Sequence, residues 1–152
     1  MVPTQWNSRL SLLLVLGLLG MTTLVHAPPP GITPAQWFVI QHINMTSNIC
    51  NIAMQAINRY NYFHRICKNQ NTFLHIPLST VAQVCRGRNI TCLSGLYTNC
   101  HSSPLPVSIT NCILTRPGRR HTLCQYHNTN GLKNYDVACN NYYHPVHLDK
   151  VY

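Results

Sequence analysis

Three short segments of the chain carry side chains that could move protons and stabilise negative charge. They span residues 41–47 (QHINMTS), 67–73 (CKNQNTF) and 145–149 (PVHLD), and they contribute His42, Lys68 and His147. Histidine suits proton transfer because its unperturbed pKa is about 6.5, and one neutral and one protonated imidazole can act as base and acid in a single reaction. A lysine beside them can stabilise negative charge that develops in a transition state.

None of these side chains indicates a site when it is considered singly. A histidine on a helix is more often structural or exposed, and a lysine that follows a cysteine is usually solvated. Only the joint occurrence of the three segments favours a catalytic interpretation. Six of the histidines outside these segments are predicted to be surface residues: His64, His75, His101, His121, His127 and His144.

The first 27 residues are predicted to be a secretory signal peptide. Arg9 precedes an apolar run at residues 10–19 that is too short to span a bilayer, and the small-residue site Val25-His26-Ala27 follows. Residues 28–152 are then expected to form one secreted domain. Two sequons place predicted glycosylation sites at Asn44 and Asn89.

All eight cysteines lie beyond the predicted signal peptide. An even number of cysteines in a secreted chain indicates four disulfides, although the sequence arithmetic leaves their pairing open. Zinc sites usually contain closely spaced cysteine pairs, and no C-x-x-C occurs in the chain. We therefore expect no metal site and no other cofactor.

The mature chain is strongly basic. Without Arg9, ten lysines and arginines face only Asp136 and Asp149, which gives a net charge of +8. A field of this sign attracts polyanions such as nucleic acid, heparan-type glycans or anionic bacterial membranes. Two basic segments, residues 86–88 (RGR) and 116–121 (RPGRRH), are predicted to add salt-dependent contacts to such a partner.

Helices are predicted in the first half of the chain. Thr33 can cap a helix that begins at Pro34 and has Gln36 in a capping box, and this helix should run to about residue 43. It would carry Phe38 and His42 on one face. Two further helices are predicted at residues 51–59 and 77–84.

Strands are predicted in the second half, which makes the domain α+β. Alternating patterns indicate strands at residues 107–112, 124–127, 133–139 and 146–151. The pair Asn130-Gly131 is predicted to form the turn between the second and third of these strands.

In this order, and with the interleaved cysteines, the three segments resemble the active-site segments of the pancreatic-type ribonuclease A superfamily. The sequence pattern AQWF…QHINMTS…CKNQNTFL is most similar to the eosinophil-type branch of this superfamily. The resemblance covers the mature chain and implies an α+β, ribonuclease A-like fold with three helices, a curved antiparallel sheet and four disulfides. It implies a monomeric, secreted endoribonuclease, with storage in granules before release, that cleaves single-stranded RNA 3′ of pyrimidines through a 2′,3′-cyclic phosphate.

The resemblance also implies a role for each site residue. His42 would be the general base, His147 the general acid, and Lys68 the group that stabilises the transition state. Gln41 and the N–H of Leu148 would contact the phosphate, and Thr72 would contact the pyrimidine. Asn99 and Asn140 would contact the following base, and Asp149 would orient His147. Asn71 is a further predicted substrate-binding residue.

The family connectivity, carried over by position, implies the disulfides Cys50–Cys112, Cys67–Cys124, Cys85–Cys139 and Cys92–Cys100. The last pair argues against the angiogenin branch, which has three bridges, and so against a receptor-binding growth signal. The main alternative to an enzyme is a cationic host-defence protein on the same scaffold, which would bind glycans or bacterial membranes.

Two lengths depart from the family pattern. The segment between Cys50 and Cys67 is about three residues longer than usual, and the loop between Cys139 and His147 is shorter. Because a misplacement of ~1 Å can cost about 10²-fold in rate, the short loop predicts turnover below that of the pancreatic enzyme with RNA binding retained.

Overall fold

The computed structural model describes residues 27–60 and 67–152. The predicted signal peptide up to residue 26 lies outside the described residues, and so do residues 61–66, which include His64 and belong to the longer segment between Cys50 and Cys67. Within the described ranges, no helix has the length and apolarity needed to cross a bilayer.

The first helix forms as its capping signals predict. Helix α1 (Pro34–Phe38) begins with a capping box in which Thr33 Oγ1 accepts from the Gln36 N–H at 3.2 Å and Gln36 Oε1 accepts from the Thr33 N–H at 2.9 Å. A single π-helical turn (Val39–Ile43) continues it. Such turns are often found at functional sites, and this one carries His42.

The remaining helices are short. The predicted helix at residues 51–59 is present as two pieces, α2 (Cys50–Ala53) and α3 (Gln55–Asn58), which meet at Met54, where the ψ angle is −17°. Helix α4 (Leu78–Val84) matches the predicted third helix, with Pro77 as its N-terminal cap.

Within the part of the chain that the structure describes, six antiparallel strands form two three-stranded sheets. Their order is β1-β3-β4 in one sheet and β2-β5-β6 in the other. The strands are β1 (Gln70–Leu74), β2 (Cys100–Ser102), β3 (Val107–Arg116), β4 (Gln125–Lys133), β5 (Tyr135–Cys139) and β6 (Pro145–Val151). The ribonuclease A-like, α+β class predicted from the sequence is confirmed.

The predicted turn at Asn130-Gly131 is wrong, because both residues lie inside β4. They pair with Thr110 and Ile109 of the long strand β3, and Thr110 Oγ1 donates to Asn130 Oδ1 at 2.7 Å. Strand β4 therefore continues past the Asn-Gly pair. The chain passes into the other sheet only at Asn134, between β4 and β5.

The four disulfides are paired as the family resemblance implies. Cys50–Cys112 ties α2 to β3, and Cys67–Cys124 ties the start of β1 to the start of β4. Cys85–Cys139 ties the end of α4 to β5, and Cys92–Cys100 joins the two ends of one loop. Each bridge of this kind typically contributes ~2–4 kcal/mol to stability.

Helix α1 lies between the two main parts of the core. Trp37 packs in one buried cluster with Phe73, and Phe38 packs in the other with Tyr135. Because adjacent residues of α1 are fixed in different clusters, the rotation of the helix is fixed as well. The π-helical turn that follows it is thereby held against both sheets.

Candidate active site

His42 is buried, and a backbone contact orients its ring. The side chain is 8% exposed, and its Nδ1 atom lies 2.8 Å from the carbonyl oxygen of Thr72 on β1. A carbonyl oxygen can only accept a hydrogen bond, so Nδ1 carries the proton and donates. In the neutral imidazole, Nε2 is then the nitrogen with a lone pair, as a general base requires.

The surroundings of His42 keep its imidazole neutral. Burial is the largest cause, and the positive charges of Lys68 and His147 act in the same direction, while the bond to Thr72 opposes them. Together they lower the pKa of His42 from 6.5 to about 3.

Two amide side chains hold the ammonium group of Lys68. Its Nζ atom donates to Gln41 Oε1 at 2.7 Å and to Asn71 Oδ1 at 2.8 Å, and Asn71 Nδ2 donates to the Gln41 carbonyl at 2.7 Å. Burial lowers the pKa of Lys68 to about 8. The residues 41, 68 and 71 that the sequence singled out are therefore brought together around His42.

The backbone of Lys68 is held on both sides by a pair of buried side chains that sequence reasoning missed. Asn58 Oδ1 accepts from the Lys68 N–H at 2.9 Å, and the Tyr126 hydroxyl donates to the Lys68 carbonyl at 2.6 Å. Asn58 Nδ2 donates in turn to the Tyr126 oxygen at 2.9 Å. The adjacent disulfide Cys67–Cys124 brings the start of β4 to Lys68 and so makes this three-way contact possible.

His147 lies on β6, in the second sheet, and is more exposed than His42. Its side chain is 46% exposed, and its Nε2 atom lies 3.3 Å from Asp149 Oδ1. The other oxygen of Asp149 accepts from the Leu93 N–H at 2.8 Å. The carboxylate is thus fixed to the loop closed by Cys92–Cys100, and it can orient the imidazole of His147 through Nε2.

The residue predicted to contact the pyrimidine has an additional partner. Thr72 lies beside His42, and its hydroxyl donates to Asn111 Oδ1 at 3.3 Å from the paired position on β3. Asn111 was not predicted as a site residue. The pairing of two strands distant in the sequence brings it to Thr72, and no local pattern could have indicated this.

The residues predicted to contact the following base lie at the end of β5. Asn99 Nδ2 donates to the Cys139 carbonyl at 3.0 Å. Asn140 is engaged locally, since its Oδ1 atom accepts from the backbone N–H groups of Tyr142 and His144, both at 3.0 Å. Leu148 is half-buried against the second core cluster.

His101 does not lie at the surface, as predicted, because it belongs to the short strand β2. It is 5% exposed, and its Nδ1 atom lies 3.1 Å from the Gly87 carbonyl oxygen. The surface prediction failed because a strand of three residues carries no recognisable pattern. Of the other predicted surface histidines, His75, His127 and His144 are exposed and His121 is half-buried.

One group of residues has the spacing of a metal site but not the chemistry. Among the described residues, ligand atoms of Cys92, Cys100 and Asp149 lie within 4.8 Å of one another. The two cysteines form a disulfide with each other. Metal binding by cysteine requires thiolates, so this group does not hold a metal.

Comparison with known proteins places the whole arrangement in one family. The family model described as pancreatic ribonuclease matches residues 33–149. Among curated proteins, the chain is similar to the eosinophil cationic protein of Rattus norvegicus, with 46% identity over 156 residues that cover 96% of each chain. The matched region contains all three segments that carry His42, Lys68 and His147.

Proposed function

The chain belongs to the pancreatic ribonuclease family, and on that premise we propose that it is a secreted endoribonuclease that cleaves single-stranded RNA on the 3′ side of pyrimidines. The proposal includes the mechanism, the residues that perform it and the location of the protein. Storage in granules and a host-defence role are part of the same proposal.

The proposed first step is an intramolecular transfer of the phosphoryl group. His42 Nε2 takes the proton of the ribose 2′-hydroxyl, and the 2′-oxygen attacks phosphorus. The bond from phosphorus to the 5′-oxygen breaks, and that oxygen takes a proton from His147 Nδ1. The products are a 2′,3′-cyclic phosphate and a free 5′-hydroxyl. The second step reverses the two proton transfers, with water in place of the leaving group.

Lys68 is proposed to stabilise the extra negative charge on the phosphoryl oxygens. Its ammonium is already directed by Gln41 and Asn71, so little reorganisation is needed when the charge develops. Because Gln41 uses its Oε1 atom for this contact, its amide nitrogen is the group that can donate to a phosphate oxygen. The N–H of Leu148 is proposed as a second donor.

The base contacts are proposed from the positions of the remaining predicted residues. Thr72, with its hydroxyl directed by Asn111, would contact the pyrimidine beside Asn71. Asn99 and the amide nitrogen of Asn140 would contact the following base. Asp149 would orient His147.

The observation that carries the proposal is the buried His42 ring, whose Nδ1 donates to the Thr72 carbonyl, with the ammonium of Lys68 held by the adjacent residue Gln41. The test is cleavage of poly(U) by the wild-type protein and by His42→Gln. His101→Gln is the matched control, since it also removes a buried imidazole bonded to a backbone carbonyl. We expect His42→Gln to lower the rate by about 10²–10⁴-fold and the control to cleave normally. Equal losses in the two variants would contradict the proposal.

The basic surface supports a second activity, binding to glycans or anionic bacterial membranes. Arg116, Arg119 and Arg120 are exposed. Asp136 and Asp149 carry the only two side-chain carboxylates of the predicted mature chain. They accept hydrogen bonds from Tyr152 and Leu93 and not from these arginines. The positive field is therefore largely uncompensated, and it would act on any polyanion.

A further inference from the structure

A pocket of about 450 Å³ opens between helix α4 and the segment that leads from β2 into β3. Thr80, Gln83 and Val84 form one wall on a single face of α4, since they are three and four residues apart, and Gly87 continues this wall beyond the helix. The opposite wall is the segment 102–107, whose two prolines restrict its backbone. The pocket is mostly apolar and has the size of a small-molecule site. None of the residues proposed above for RNA cleavage is among the described residues that line it.

Tyr135, the first residue of β5, also lines this pocket and is only 1% exposed. Two hydrogen bonds fix its backbone to the wall formed by segment 102–107. The Ser103 N–H donates to the Tyr135 carbonyl at 2.8 Å, and the Tyr135 N–H donates to Ser103 Oγ at 3.0 Å. The disulfide Cys85–Cys139 joins the same strand to the end of α4. The elements around the pocket are therefore held in place by contacts of the fold itself.

The hydroxyl group of Tyr135 has no hydrogen-bond partner among the described residues. In the same part of the chain, no fully enclosed side-chain oxygen or nitrogen lacks a partner. The hydroxyl therefore reaches an opening, and the pocket that Tyr135 lines provides one. Burial raises the pKa of Tyr135 to about 12, so the group keeps its proton at neutral pH and can donate. A mostly apolar pocket thus contains one buried donor that no described residue uses.

The acceptor that suits this hydroxyl is uncharged. The described side chains that line the pocket include no lysine, arginine or histidine, and a carboxylate is costly to bury in an apolar site without a cation beside it. A neutral carbonyl oxygen can accept one hydrogen bond without that cost. The apolar walls favour an aliphatic body attached to this carbonyl, because every methylene group that leaves water adds to the affinity.

We propose that this pocket binds a medium-chain fatty ester, whose neutral carbonyl oxygen accepts a hydrogen bond from the Tyr135 hydroxyl. The aliphatic chain lies between the face of α4 and the segment 102–107. Because the pocket is lined by none of the residues proposed for RNA cleavage, this binding goes beyond the proposed ribonuclease function and does not depend on it.

Isothermal titration calorimetry with methyl hexanoate and methyl octanoate tests the site. The two added methylene groups of methyl octanoate should tighten binding about 15-fold, since each one contributes a factor of about 4 when it leaves water. Tyr135→Phe removes only the donor and should weaken the binding of methyl octanoate by about 2- to 10-fold. Octanoate, which has the same chain and a charged head, should bind at least about 10-fold more weakly than its methyl ester.

A substitution on the exposed face of α4 can close the pocket without changing the core. Thr80 and Ser79 are both exposed, but only Thr80 lines the pocket. Thr80→Trp should abolish binding of methyl octanoate, and the matched control Ser79→Trp should keep the wild-type affinity. Thr80→Trp and Tyr135→Phe should both cleave poly(U) at the wild-type rate, which separates this pocket from the proposed active site.

Five results would each overturn the site. They are no detectable binding of methyl octanoate by the wild-type protein, equal affinities for the two esters, and octanoate binding as tightly as its ester. The other two are an affinity that Tyr135→Phe leaves unchanged, and binding that Thr80→Trp and Ser79→Trp affect equally. If Thr80→Trp does not fold, the chain-length series and Tyr135→Phe still decide, since Tyr135→Phe removes a hydroxyl that no described residue contacts.

Discussion

The Nδ1 atom of His42 donates a hydrogen bond to the carbonyl oxygen of Thr72 across 2.8 Å. One residue thus supplies both the carbonyl that sets the tautomer of the proposed base and the hydroxyl proposed to contact the pyrimidine. Because the two functions share Thr72, a change in strand β1 that displaced the proposed pyrimidine contact would also displace the ring of His42. The proposed pyrimidine contact and the orientation of the proposed general base would therefore be coupled through the backbone of this strand.

The acid limb of the pH–rate profile should lie at a lower pH than an ordinary histidine would give. His42 has its pKa lowered to about 3, so it stays in the neutral, basic form well below the ordinary histidine value of 6.5. We expect kcat/KM for UpA to fall on the acid side only below about pH 5. An acid limb centred at the ordinary histidine value would contradict the neutral, buried state of His42. The alkaline side should fall as Lys68, with a pKa of about 8, loses its charge.

The same shift predicts how stability depends on pH. The folded-state pKa of His42 lies below its unfolded value, so the unfolded chain binds more protons between about pH 6.5 and 3 and stability is lost as the pH falls through that range. A group of this kind contributes at most about 1.4 kcal/mol per pH unit. Urea unfolding at pH 4 and 7 should show a smaller loss for His42→Gln than for wild type. An identical loss in both proteins would argue against a depressed pKa.

Removing the ammonium of Lys68 should affect the reaction more than binding. Lys68→Met keeps an unbranched side chain but leaves Gln41 Oε1 and Asn71 Oδ1 without their donor. We expect kcat on poly(U) to fall by about 10²–10³-fold, as for the loss of one preorganised charge-stabilising donor. KM should change much less. A large rise in KM with kcat preserved would show that Lys68 binds the substrate rather than stabilising the transition state.

Tyr126 should position Lys68 without touching the substrate. Tyr126→Phe removes the donor to the Lys68 carbonyl and leaves that oxygen and Asn58 Nδ2 without this partner. We expect kcat to fall by roughly 10-fold, less than the ~10²-fold typical of a 1 Å misplacement. The matched control is Tyr135→Phe, a buried tyrosine of the other sheet.

Circular dichroism would establish that both tyrosine variants are folded at the assay temperature. If Tyr135→Phe lowers kcat as much as Tyr126→Phe does, the effect is general destabilisation and the positioning role is wrong. Restoring a normal kcat to Tyr126→Phe by cooling alone would lead to the same conclusion.

The basic loop at residues 116–121 should contribute to RNA affinity through charge. Each phosphate contact adds about 0.7 to the slope of log affinity against log salt on single strands. Changing Arg119 and Arg120 to glutamine should lower that slope by about 1.4, whereas changing both to lysine should leave it nearly unchanged. A slope unaffected by the glutamine changes would make this loop an ordinary solvated turn.

Local signals in the sequence were sufficient where one segment determines its own structure. The Thr33 capping box and Pro34 predicted the start of α1, and the four-residue spacing predicted that Phe38 and His42 meet, which they do with ring centroids 5.1 Å apart. The disulfide pairing could not be derived from local patterns. It came from the family resemblance, which relates positions far apart in the chain.

The errors and omissions arose where distant segments decide the structure. Asn130-Gly131 is a strong turn signal, but pairing with β3 keeps it in a strand. Asn58, Tyr126 and Asn111 acquire their roles only when strands and helices separated by 10 to 58 residues come together. The reduced turnover expected from the short loop before His147 stays a prediction.

Phosphorus NMR of the dinucleotide UpA during the reaction tests most directly whether cleavage passes through a 2′,3′-cyclic phosphate with His42 as the general base. Wild-type protein should first produce the cyclic phosphate signal, which later converts to a 3′-monophosphate. His42→Gln should produce this signal at less than about a tenth of the wild-type rate. A 5′-phosphate product, or a His42→Gln protein that forms the cyclic phosphate at the wild-type rate, would contradict this mechanism.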